Sequence, residues 1–84
     1  MLFVTLLNII PGKFQDAIKM LKNPPKRENI QIKSQIGIFG KPDAIIIFEA
    51  KDEQTAADFV LQFGEIASTN TCLAFPPSAF TWTH

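Results

Sequence analysis

The sequence predicts an α+β domain of ferredoxin-like topology, βαββαβ, with a four-stranded antiparallel sheet and two helices on one of its faces. Three observations carry this expectation. Four stretches rich in branched and aromatic residues are interrupted twice by segments whose apolar residues recur at helical spacing. The middle two strand-like stretches are joined by the short turn Gly40-Lys41-Pro42-Asp43, which makes them antiparallel neighbours. Two crossovers of right-handed sense then place both helices on the same side of the sheet.

Leu2 to Ile9 reads as the first strand, ended by Pro11-Gly12 because proline offers no N–H and glycine permits the turn. From Lys13 to Lys22, Phe14, Ala17, Ile18 and Leu21 form one apolar helical stripe opposite Gln15, Asp16, Lys19 and Lys22. Asn23-Pro24-Pro25 stops this helix, since the residue before a proline is pushed out of the helical region. Ile30, Ile32, Ser34, Ile36 and Ile38 alternate with Gln31, Lys33, Gln35 and Gly37, giving a second strand with one mostly apolar face. Ala44 to Ala50 is the third strand. Asp52 caps a second helix that carries Ala56, Phe59, Val60 and Phe63 on one stripe and closes on Gly64 as a left-handed cap. Ile66 to Phe75 is the fourth strand, stopped by Pro76-Pro77.

A chain of 84 residues is read as one domain, residues 1–84, with 76–84 as a C-terminal arm. Eight basic and eight acidic residues cancel, so the charge footprint of a nucleic-acid binder or a peripheral membrane protein is missing. The single Cys72 cannot form an internal disulfide, which suits a reducing compartment, and it is expected to be an inert, partly buried thiol. Residues 1–10 lack a basic leader and a cleavage site and fall short of a membrane span, so the expected location is cytoplasmic.

The run from Ile36 to Ala50 makes the strongest statement about association. Ala44, Ile46, Phe48 and Ala50 point one way along the third strand while Ile45 and Ile47 point the other, and the first strand is likewise apolar on both sides. Two helices cover one face only. Burying apolar area is worth about 25 cal/mol per Å², so the open face is expected to pair with that of a second copy, as a dimeric α+β barrel. Ile46 is expected in this dry interface, where an aspartate would dissociate the dimer or prevent folding.

Gly40-Lys41-Pro42-Asp43, the strand Ala44 to Ala50, Asp52-Glu53, Thr55-Ala56-Ala57, Phe59, and then Thr69, Thr71, Leu73, Ala74 and Phe75 together resemble the GYD domain family. The likeness is strongest over residues 36–75. It implies a small cytoplasmic domain of the dimeric α+β barrel group, whose architecture also serves effector-binding domains, cofactor-free monooxygenases and muconolactone isomerases. Pro42 stands where the family's name-giving tyrosine would be, and Asn70 and Cys72 stand where it tends to place charged residues.

Candidate ligand-binding residues are Asn8, Asp43, Glu49 and Trp82. Asn8 interrupts an apolar strand and either contacts a ligand or satisfies a neighbouring backbone group. Asp43 ends the turn, where an aspartate commonly accepts backbone N–H groups, and Glu49 ends the third strand, where the ordinary outcome is solvation. His84, the single histidine, is the last residue of the sequence, and tyrosine is absent. No Ser/His/Asp set, metal-ligand cluster or phosphate-cradling loop is present in the sequence, so no catalytic residue, metal or cofactor is assigned.

In residues 78–84, Phe80, Trp82 and His84 alternate with Ala79, Thr81 and Thr83, a strand-like arm suited to a subunit interface. The reading favoured by this surplus of apolar face and shortage of titratable groups is a homo-oligomeric module that binds a small apolar ligand or a protein partner. The alternative is a cofactor-independent monooxygenase or isomerase of the barrel type acting on an apolar small molecule, with Asn8 and Trp82 as its polar contacts.

Overall fold

A computed structural model describes residues 1–38, 40–75 and 78. The elements follow in the order β1 (Leu2–Ile9), α1 (Phe14–Lys22), β2 (Ile30–Gly37), β3 (Ala44–Ala50), α2 (Glu53–Leu61) and β4 (Ala67–Ala74). The strands form one sheet in the order β2-β3-β1-β4, each neighbouring pair antiparallel. This is the expected ferredoxin-like α+β arrangement. Its central strands are β3 and β1, which is why those two carry apolar residues on both faces.

The core lies between the sheet and the helices. Phe3 and Leu7 of β1 and Ala44, Ile46, Phe48 and Ala50 of β3 are buried together with Ala17 of α1 and Ala56, Phe59 and Val60 of α2. A relay of rings runs through it: Phe3 stacks on Phe48 at 5.6 Å, Phe48 meets Phe59 at 4.9 Å, and Phe59 meets Phe63 edge-on at 5.4 Å. Such pairs add about 0.5–1.5 kcal/mol each beyond their buried area. Ile46, fully buried in this cluster, therefore sits on the helix side and not in an open-face interface. The open face belongs to its neighbours Ile45 and Ile47.

The expectation of one apolar face along residues 30–38 also fails, at a β-bulge. Ile30 opposes Ala50 and Ile32 opposes Phe48, but the register then slips so that Ser34 opposes Ile47 and Ile36 opposes Ile45. An extra residue in a strand exchanges its two faces beyond that point. Ile30 and Ile32 pack against the core, whereas Ile36 passes to the open side and is 51% exposed.

The ends of α2 differ in the same instructive way. Asp52 caps it as expected, its Oδ1 accepting from the Thr55 N–H at 2.8 Å. Gly64 is not a left-handed cap: the chain leaves the helix through successive tight turns, with Phe63 N–H donating to Val60 and Gly64 N–H to Leu61. Glycine is instead required at Gly12, whose φ of +87° lies in the region that side chains rarely adopt.

Thr55, through its hydroxyl and then its backbone N–H, holds the Asp52 carboxyl below the usual carboxylate range, with Lys51 assisting. A depressed pKa contributes stability above the unfolded value, about 3.9, that is lost as pH falls through the folded one. Asp52→Ala is thus expected to melt earlier than wild type at neutral pH. The difference between the thermal melts of the two proteins should narrow as pH falls below about 3.9 and the wild-type carboxylate takes up its proton.

Candidate functional site

Helix α1 buries one small residue, Ala17, and packs Met20 and Leu21 against the core in part. Its stripe of Phe14, Ala17, Ile18 and Leu21 was expected to face the core, yet only Ala17 is buried, while Phe14 is 48% and Ile18 45% exposed. The wide apolar side chains instead line a groove of about 370 Å³ between α1 and the ends of the central strands, with Ile9, Ile38 and Ala44 as its other apolar walls. A neighbouring hollow continues past Ile18 and Leu21 to Lys22, Gln35 and Ile36. The lining of this groove is mostly apolar, and Asp43 is the acidic residue in it.

The Asp43 carboxylate is already engaged. Its Oδ2 accepts from the Ile9 N–H at 2.8 Å, its own N–H donates to the Leu7 carbonyl, and its carbonyl accepts from the Ile38 N–H. The residue thus ties the turn before β3 to the end of β1. Removing a charged acceptor from a backbone donor costs about 1–3 kcal/mol, so Asp43→Ala should lose that much in urea unfolding and Asp43→Asn, which keeps an oxygen, distinctly less.

The second feature is the sheet face turned away from the helices. Register places Leu2, Val4 and Leu6 of β1 beside Ile45 and Ile47 of β3, with Ile36 of β2 opposite Ile45. None of the six is buried. Polar residues border this apolar field. Asn8 opposes Ser68 at one end, Asn70 and Cys72 lie along β4, and Glu49 meets Lys33 at 3.6 Å at the other end. That ion pair is exposed on both sides, the kind of contact that contributes little.

The four candidate residues are not assembled. Glu49 opposes Leu2, and Asn8 lies six residues further along β1, roughly 20 Å away at the rise of a strand. Asp43 shares the Asn8 end of the sheet but turns its carboxylate to the Ile9 N–H in the groove. Trp82 lies outside the described residues, as do Phe80 and His84. Cys72, expected to be partly buried, is exposed because β4 is an edge strand and nothing covers its side of the sheet among the described residues.

Two features were missed from the sequence. Thr5 is buried on the helix side and its hydroxyl pairs with that of Thr71 at 2.8 Å, a polar clasp between β1 and β4. The groove itself was hidden because its walls come from residues that helical spacing assigns to a core. Among the described residues no group of three or more His, Cys, Asp or Glu is placed to hold a metal ion, and no helix is long and apolar enough to cross a membrane. Compared with protein-family models, curated proteins and solved structures, the chain matches none.

Proposed function

We propose that this chain is a self-associating small-ligand-binding module: two copies pair through their open sheet faces as a dimeric α+β barrel, and the groove beside α1 takes a small apolar ligand. The observation that carries the reading is the apolar field of Leu2, Val4, Leu6, Ile36, Ile45 and Ile47. Contiguous apolar patches of this kind mark interaction sites on small proteins, and pairing two such fields is the arrangement that removes both from water. The groove supports the ligand half of the proposal because it is apolar and its one carboxylate already has a backbone partner.

The resemblance to the GYD domain family and a cytoplasmic location belong to the same proposal. A binding role is preferred to catalysis because Asn8, Asp43 and Glu49 stand apart instead of converging on one point. Light scattering of the purified chain tests the association: at tens of micromolar it should give twice the 9.4 kDa of one chain and fall toward that value on dilution. A mass of one chain at every concentration would remove the proposal's basis.

A further inference from the structure

The two hollows beside α1 run into one another. Ile18, Leu21 and Gly37 line both, so each space of about 370 Å³ is one part of a single trough along the helix. It extends from Phe14 to Lys22, roughly 12 Å at the rise of an α-helix. Gly37 keeps the two parts joined. It opposes Ala44, which is buried on the helix side, and opposed residues share a face. A Cβ built on Gly37 would meet nothing within 4 Å, so any larger residue here would put its side chain into the open middle of the trough.

Charge distinguishes the two ends. Among the described residues that line the trough, Asp43 and Lys22 are the ones that carry charge. Asp43 stands near Ile9 and Phe14, its carboxylate already accepting from the Ile9 N–H. Lys22 stands at the far end beside Gln35, and among the described residues no carboxylate lies within ion-pairing distance of it. An apolar trough with a satisfied anion at one end and an unpaired cation at the other suits an elongated apolar molecule with one anionic tip.

We propose that the trough takes a free, unbranched fatty acid, its chain laid along Phe14, Ile18 and Leu21 and its carboxylate at the Lys22 ammonium. This assignment rests on the reading of the groove as a ligand site and is independent of pairing of the open faces. The reverse orientation would set the ligand carboxylate beside that of Asp43, where like charges repel. A cationic amphiphile is the competing occupant. It would have to bind at Asp43, whose charge a backbone donor already meets, and would leave Lys22 against its tail.

Calorimetric titration of the full chain with octanoate, decanoate, decanol and decylammonium, each below its micelle-forming concentration, tests the assignment. Decanoate should bind more tightly than octanoate by roughly fivefold to tenfold, the gain for two methylenes in a half-open groove. It should also bind several-fold more tightly than decanol or decylammonium, the scale of an exposed ion pair. Lys22→Gln should lower the affinity for decanoate to that for decanol and leave decanol unchanged, while Lys22→Arg should keep the preference. Gly37→Val suits a strand and should weaken decanoate by about tenfold or more, because its side chain takes the space of the ligand. If circular dichroism shows that Gly37→Val is unfolded, Ile18→Gln, on an exposed wall, takes its place. Decanol or decylammonium binding as tightly as decanoate, or decanoate binding that Lys22→Gln does not move, would overturn the fatty-acid assignment and leave the groove as a ligand site. Binding that the groove-filling variant leaves unchanged, or no binding of any of the four compounds, would overturn the assignment together with the groove reading.

Discussion

Ile46→Asp abolishes folding. Ile46 is fully buried on the helix side of β3, within the cluster formed by Phe3, Phe48, Phe59 and Ala17. Its replacement removes a branched side chain, worth about 2–5 kcal/mol when truncated to alanine, and adds a carboxylate with no partner in a dry site. A domain of this size has a total stability on the order of 4–12 kcal/mol, so the sum of the two effects exhausts it. Far-ultraviolet circular dichroism should show an unfolded chain, and Ile46→Val, which deletes one methylene, should remain folded with a loss of about 0.5–1.5 kcal/mol. A cooperative melt for Ile46→Asp would mean that the helix side of β3 is not the core.

Ile47→Asp leaves the fold and removes the partner. One position along the strand, the side chain points to the opposite face, where it is incompletely buried in a single chain and flanked by Val4 and Ser34 across the sheet. In the monomer a carboxylate there stays in contact with water. In the proposed face-to-face dimer it is driven into an apolar interface beside its own two-fold mate. A residue at the centre of such an interface costs at least about 2 kcal/mol when spoiled, or roughly thirty-fold in dissociation constant. Two adjacent isoleucines with the same substitution are thus expected to fail in different ways, one in folding and one in association.

The fold was legible because punctuation and periodicity agreed. Pro11-Gly12, Asn23-Pro24-Pro25 and the turn at residues 40–43 separate segments whose types are unambiguous, and β1 and β3 occupy the expected ranges. What escaped was anything set by register. The alternation Ile30, Ile32, Ser34, Ile36 reads on through the bulge without a mark, so the sequence puts Ile36 on the same face as Ile30 and Ile32 when the register slip separates them. In β3 both faces are apolar, so periodicity could not say which one the helices cover, and Ile46 was misplaced for that reason.

The candidate site was less legible for a related reason. Helical spacing identifies the stripe of α1 but not how far a nine-residue helix stands from the sheet, and that distance is what leaves Phe14 and Ile18 beside a groove. The end of β3 told correctly that Glu49 is exposed, and the turn told that Asp43 would serve backbone donors. Neither could reveal that the two lie at opposite ends of β3.

Sedimentation equilibrium of wild type and Ile47→Asp at matched concentrations tests pairing of the open sheet faces most directly. The expected result is a dimer for the wild type and a folded single chain of 9.4 kDa for the variant, with indistinguishable circular dichroism. Equal masses for two folded proteins would contradict it.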